Sequence, residues 1–259
     1  MCRLAAYLGP PITLQRFLVD PAHSLIEQAW NPREMENARL NGDGYGFGWY
    51  TSTGRSAVYT NPMPIWSDSN LPNLAHSLQS SLWMGNVRSA TPGQPVSQEN
   101  TQPFIDGTWL FMHNGYIEEF TTSLRPRLHR VLEPEVQAKI QGSTDSEYLF
   151  ALLRQQRYQD DRCAPDIAMM RAFADLAESL DGESALLNMI VSDGTKLYVV
   201  RHAIAGACPS LYYTTEDTSY PHGCIVASEC LTGSNAWLPV PEHHLMIVDP
   251  KRPIELIAL

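Results

Sequence analysis

The sequence has no run approaching the roughly 18 consecutive apolar residues that a membrane helix needs, and no cluster of Lys or Arg. The first absence argues against a membrane protein. The second, with a formal net charge of −10, argues against a nucleic-acid partner. The acidic excess favours solubility and says little else. The opening MCRLAAYLGPP lacks a basic segment followed by an apolar stretch and a small-residue cleavage site, so no secretory signal is expected and the cytoplasm is the default compartment. Cysteine is also scarce. There are five, Cys2, Cys163, Cys208, Cys224 and Cys230, and no pair has CxxC spacing. Neither a disulfide framework nor a zinc site is suggested, and no metal is expected. Buried or half-buried thiols are the plain reading for all but Cys2. The glycines of NGDGYGFGWY invite comparison with a nucleotide loop. No helix is expected to follow them, and the chain has no Walker lysine, so that reading fails.

What is present is an ordered set of short apolar runs. CRLAAYLG reads as a strand stopped by Gly-Pro-Pro. Residues 14–30 suggest a short helix interrupted at Pro21. SLWMGNVRSAT reads as a strand running into a turn, and TWLFMHNGYI as a strand ending at a sharp Asn-Gly. STDSEYLFALLRQQ and IAMMRAFADLAESL have helical periodicity, and Asp181-Gly182 closes the second. ALLNMIVSD, KLYVVRH, SLYYTT, CIVASE and HHLMIVD read as strands. Strands, then two helices, then strands predict two antiparallel sheets with helices outside, not alternating βαβ units. No repeat or linker interrupts the order, and one domain over residues 1–259 is expected. The glycines of NGDGYGFGWY are read as points of close backbone approach.

Four motifs carry possible chemistry, and each has a bland reading. A cysteine after the initiator Met becomes N-terminal when Met1 is removed. Its α-amine, titrating near pH ~8, can then take the proton of its own thiol. Taken alone, Cys2 is only a cysteine. Arg88 in GNVRSAT could grip a carboxylate through two parallel hydrogen bonds, or be a surface arginine. Asn114 and Gly115 could form an oxyanion hole, one donor of which can lower a barrier by about 3 kcal/mol, or mark a turn. Asp145 and Glu147 in GSTDSEYLF suit the N-terminus of a helix, but Asp145 could also hold a substrate ammonium.

The order MCR, VRSAT, HNG, STDSE resembles the glutaminase domain of class II glutamine amidotransferases, within the N-terminal-nucleophile (Ntn) hydrolases. The resemblance covers essentially the whole chain. It implies an α+β fold, a four-layer αββα sandwich. It also implies Cys2 as nucleophile, Asn114 and Gly115 as oxyanion donors, Arg88 on the substrate α-carboxylate and Asp145 on the α-amine. Thr91 occupies the threonine position of the arginine motif and, with Ser89, is assigned to the substrate side. The common motif has Trp after Arg and His after Thr, where this chain has Ser89 and Pro92. A γ-glutamyl small molecule is the implied substrate, with no cofactor.

MCRLAAYLGPPITL, HSLIEQAW, NGDGYGFGWY and QPVSQENTQPF resemble the narrower family of ergothioneine-pathway amidohydrolases, which cleave γ-glutamyl-hercynylcysteine sulfoxide. Such a leaving group carries a trimethylammonium, for which Trp30, Tyr45, Phe47 and Trp49 are aromatic candidates, although core positions suit most of them. Three alternatives stand beside this reading. One is a free-standing glutaminase passing ammonia to a partner protein. Another is a degenerate γ-glutamyl-binding module. The third is an acylase-like enzyme, disfavoured by Arg88 and Asp145. A homo-oligomer is compatible with the sequence. Ser228, Glu229, Cys208, Cys224 and Cys230 have no assigned role.

Overall fold

The computed structural model describes residues 2–35 and 40–259; the expected removal of Met1 lies outside the described residues. Strand β1 (Arg3–Thr13) opens the chain, followed by helices α1 (Leu14–Leu18) and α2 (Leu25–Trp30), strands β2 (Tyr45–Tyr50) and β3 (Ser56–Asn61), helix α3 (Leu71–Ser77) and strand β4 (Gln79–Val87). Next come β5 (Phe104–Asp106), β6 (Trp109–Ile117) and helices α4 (Arg125–Val131), α5 (Pro134–Gln137), α6 (Asp145–Gln159) and α7 (Pro165–Ser179). The chain ends with β7 (Ala185–Ser192), β8 (Leu197–Ile204), β9 (Tyr212–Thr214), β10 (Cys224–Ala227), β11 (Leu238–Pro239), β12 (His244–Val248) and β13 (Glu255–Ala258).

These strands form two sheets, ordered β11-β9-β10-β1-β4-β2-β3 and β13-β12-β8-β7-β6-β5. Every described pairing is antiparallel. Side chains alternate across each sheet with period two, and the burial follows that period. Ala5, Tyr7, Trp83 and Val87 pack outward against Phe17 of α1 and Leu25 of α2. Leu4, Ala6, Leu82 and Met84 point the other way, onto Leu110, Met112 and Ile190 of the second sheet. Phe111, Leu187 and Met189 pack outward against Phe150 of α6 and Met169 of α7. The result is the expected four-layer αββα sandwich.

The glycines of β2 have the role read from the sequence. Tyr45 and Phe47 pack into the helical layer, while the alternate Gly46 and Gly48 face the second sheet. A Cβ at Gly46 would collide with the Gln102 carbonyl, and one at Gly48 would lie 3.0 Å from Leu110. Helix α6 begins as predicted, with Thr144 Oγ1 accepting from Glu147 N at 3.2 Å, an N-cap of the usual kind.

Two punctuation signals act differently from expectation. Gly9-Pro10-Pro11 does not stop β1; the β1–β4 register shifts between Leu8 and Ile12 and the strand continues to Thr13. Proline removes ladder donors, and a bulge absorbs the loss. Asn114-Gly115 does not end β6. Both residues stay in the ladder, opposite Asn188 and Leu187. Helices α3, α4 and α5 were not anticipated: they have 7, 7 and 4 residues, too few for a periodic signal to emerge.

Candidate active site

The site is built at one end of the sandwich, where four strands present polar residues to the gap between the sheets. The β1–β4 ladder pairs Arg3 with Val87, so the next step outward sets Cys2 across from Arg88. Cys2 is half-buried, and its Sγ lies 3.9 Å from the Ser89 carbonyl. Arg88 itself is only 4% exposed. Its backbone is pinned on both sides, donating from N to Gly44 O at 2.8 Å and accepting from Asp43 N at 3.0 Å. The guanidinium donates to the carbonyls of Asp43 and Pro95, at 3.3 and 3.2 Å. Burial lowers its pKa, while the negative charges of a Cys2 thiolate, Asp43 and Asp145 oppose that shift. A buried, oriented cation beside the thiol is suited to a carboxylate ligand.

The second sheet supplies Asn114. Its side chain is buried, yet among the described residues neither its amide nitrogen nor its amide oxygen has a hydrogen-bond partner. Most buried polar groups are paired, so such an orphan calls for an explanation. Asn86 of β4 shares this property, and Asn188, the cross-strand partner of Asn114, has a partnerless Oδ1. By the alternation of their strands all three face the gap between the sheets. Gly115 must be glycine: a Cβ there would collide with the Leu186 carbonyl and the His113 ring.

His113 explains how this stretch of β6 is held. The Gln102 side chain clasps its backbone, accepting from His113 N at 2.6 Å and donating to His113 O at 3.1 Å. Its ring is fixed by Leu186 O at 2.9 Å from Nε2 and Ser146 Oγ at 2.9 Å from Nδ1. A carbonyl only accepts, so Nε2 carries the proton and Nδ1 accepts from Ser146. Burial lowers the His113 pKa, which keeps the ring neutral, though Asp145 pulls the other way.

Asp145, first residue of α6, reaches the same strand. Its Oδ2 accepts from Ile117 N at 3.1 Å and its Oδ1 from Ser146 N at 2.7 Å. A chain of contacts links it to Arg88. Asn100 Nδ2 donates to Pro95 O at 3.0 Å, and Asn100 Oδ1 accepts from Ser143 N at 2.8 Å. Asn100 therefore ties the loop that holds the Arg88 guanidinium to the segment just before α6.

Behind Cys2 lies a buried ionic network. Glu229 accepts from His23 Nε2 at 2.6 Å, Arg33 N at 2.9 Å and Glu34 N at 3.0 Å, and Arg3 Nη1 lies 3.3 Å from Oε1. Burial raises the Glu229 pKa, but these hydrogen bonds and the Arg3 charge outweigh it, and the net shift is downward. Ser228 ties the start of β1: its Oγ accepts from Leu4 N at 3.1 Å. A cavity of about 390 Å³ opens beside Arg3, walled by Arg33, Glu34, Leu186, Cys208 and Ser210.

The structure thus brings Cys2, Ser89 and Arg88 to one strand end, and Asn114, Gly115 and Asp145 to the facing one. Thr91 stands apart: it is exposed, and its carbonyl accepts from Gln94 N in a turn. Of the aromatic candidates, Tyr45 and Phe47 are core and Trp49 is packed against it, while Trp30 is exposed. Asn100, Gln102, His113 and Glu229 had no sequence assignment as supports. Only HNG contained a hint, since His113 adjoins Asn114. Among the described residues no helix is long and apolar enough to cross a membrane.

The chain is similar to several known proteins. The chain is 28% identical to the gamma-glutamyl-hercynylcysteine sulfoxide hydrolase of Mycolicibacterium smegmatis, over 96% of each chain. It is 29% identical to the Saccharomyces cerevisiae protein named "Probable glutamine amidotransferase DUG3", over 96% of this chain and 82% of that one. Among solved structures, a glutamine aminotransferase class-II domain protein from Silicibacter pomeroyi superposes with a TM-score of 0.71 at 26% identity, covering 99% of both chains. The family model described as "Glutamine amidotransferases class-II" matches residues 18–222, well over half of the sequence, and the chain belongs to that family.

Proposed function

We propose that this chain hydrolyses a γ-glutamyl amide with Cys2 as an N-terminal nucleophile. Family membership makes it an enzyme of amide C–N bonds. The observation that carries the finer reading is the buried Asn114 amide, without a partner among the described residues, on the gap-facing side of a strand whose end meets Asp145, a carboxylate whose charge acts on Arg88.

The steps follow from this geometry. The Cys2 α-amine, free once Met1 is gone, accepts the thiol proton as sulfur attacks the γ-carbonyl carbon. The carbonyl oxygen gains negative charge, and Asn114 Nδ2–H and Gly115 N–H donate to it. Preorganised donors of this kind act without reorganising during the reaction. The α-ammonium then protonates the leaving amine as the C–N bond breaks, leaving a γ-glutamyl thioester on Cys2. Water attacks the thioester and releases glutamate and the free thiol. Arg88 takes the α-carboxylate and Asp145 the α-ammonium, so a substrate lacking either charge leaves a buried partner unpaired.

We further propose γ-glutamyl-hercynylcysteine sulfoxide as the substrate, and the whole chain, 1–259, as one catalytic domain. The name of the mycobacterial relative supports the substrate, as does the cavity of about 390 Å³ beside Arg3. Glutamine, which leaves as ammonia, has no use for that volume. The test is glutamate release from the two substrates. The sulfoxide should be favoured in kcat/KM by about tenfold or more, as expected when pocket contacts discriminate. Equal or better turnover of glutamine would instead favour a glutaminase that supplies ammonia to a partner.

A further inference from the structure

One cluster of ligand-type side chains lies outside the machinery described above. Cys208, Glu242 and His243 each offer a ligand atom, and these atoms all lie within 4.8 Å of one another. They come from two separate segments brought together at the end of β8. His243 N donates to Arg201 O at 2.7 Å, and Leu259 N donates to His243 O at 2.9 Å. The backbone of His243 is held at a φ of 57°, in the left-handed region that few non-glycine residues adopt. Two strands therefore fix an uncommon conformation that aims this imidazole.

The spacing and the surrounding contacts match a metal centre. Cys208 Sγ lies 3.8 Å from His243 Nε2 and 4.0 Å from Nδ1, so the ring must turn to aim its Nε2 lone pair at an ion shared with the sulfur. In a tetrahedral zinc site, bonds of about 2.3 Å to sulfur and about 2.0 Å to nitrogen put these atoms about 3.5 Å apart. The other ring nitrogen, Nδ1, is held by His202 Nδ1 at 3.0 Å. Metal-binding histidines are usually oriented in this way through their second nitrogen. Arg201 Nη2 holds Glu242 Oε1 at 3.1 Å, leaving Oε2 for an ion. Thiolate, imidazole and carboxylate together form a borderline-soft donor set with two negative charges, suited to Zn²⁺.

We propose that Cys208, Glu242 and His243 bind one zinc-class divalent ion. Three protein ligands leave a fourth position. Water or another nitrogen or sulfur donor completes the tetrahedron there; of the three ligands, Cys208 also lines the cavity beside Arg3. His202 acts as a positioning residue for the His243 ring.

The test uses the full chain carrying Cys2→Ala, so that the nucleophile thiol cannot bind metal and activity plays no part in the readout. After chelator treatment, Co²⁺ is titrated as a spectroscopic stand-in for Zn²⁺. One equivalent should bind, with a thiolate-to-cobalt charge-transfer band and tetrahedral d–d bands, and Zn²⁺ should displace it. Cys208→Ser should abolish the charge-transfer band. His243→Asn, which tolerates the left-handed backbone, should weaken binding more than tenfold while far-UV circular dichroism stays unchanged. His202→Ala should weaken it about 10- to 100-fold, the range for loss of a group that orients a ligand. Absence of a thiolate band, or a band that survives Cys208→Ser, would overturn the proposal.

Discussion

Two buried polar clusters flank Cys2, and they differ in one respect. Around Glu229 the carboxylate is fully occupied: His23, two backbone N–H groups and Arg3 surround it. Around Asn114 the amides of Asn114 and Asn86 are buried without a hydrogen-bond partner among the described residues. Arg3 Nε and Nη1 and His23 Nδ1 also lack a hydrogen-bond partner among the described residues, so the contrast lies in the groups themselves: the Glu229 charge is matched by its neighbours, while the Asn114 and Asn86 amides are open to a ligand. A γ-glutamyl carbonyl in the gap would supply the missing acceptor. The comparison sets a supporting cluster beside the one proposed to act in catalysis, and substitutions on each side should behave oppositely.

The largest expected effect is on stability at Glu229. Glu229→Ala leaves Arg3 and His23 buried without their carboxylate, and breaking a buried pair costs about 3–5 kcal/mol. Urea unfolding should show a much lower midpoint; an unchanged midpoint would remove the distinction. Asn114→Ala should do the reverse. The rate constant kcat should fall about 10²- to 10³-fold, roughly 2.7–4 kcal/mol in the barrier, with no loss of stability, because no protein hydrogen bond is broken. A destabilised, fully active Asn114→Ala protein would invert the assignment. A smaller effect is expected at Asp145, whose loss removes one charge-assisted contact, about 1.5–3 kcal/mol. It should appear as weaker glutamyl binding, and an unchanged specificity constant would take Asp145 out of the site.

The smallest effect concerns pH. Burial depresses the pKa of His113 below that of the unfolded chain, where an ordinary histidine titrates near about 6.5. Below that pH the unfolded state binds the proton first, so the stability associated with a neutral His113 is complete above it and declines as pH falls toward the folded-state pKa. His113→Gln should flatten the decline in unfolding free energy as pH falls below about 6.5. An unaltered slope would show that His113 does not titrate in this way.

The layer architecture was legible because it rests on period. Alternation in β1, β4, β6 and β7, the Thr144 cap of α6 and the amphipathic stretch of α7 are local signals, and each survived in the fold. Which strands share a sheet was not legible: β1 pairs with β10, whose register joins Ala5 to Ala227, a long-range choice without local signature. Asn-Gly misled as a turn because its neighbours decide the matter. Gln102 and Leu186 hold the strand straight through it. The proposed site residues come from the order of their motifs along the chain, whereas their supports left no mark in it. Asn100, Gln102 and Glu229 are common polar residues whose meaning lies in what the fold sets beside them.

The central claim is that Cys2, with a free α-amine, is the nucleophile facing a γ-glutamyl group. The most direct measurement is intact-mass analysis after incubation with diazo-oxo-norleucine, with Cys2→Ala protein as control. The account predicts a mass lacking Met1 and a single adduct mapped to Cys2, absent from the control and slowed by glutamate. A protein that retains Met1 yet still labels, or a label on any other residue, would contradict it.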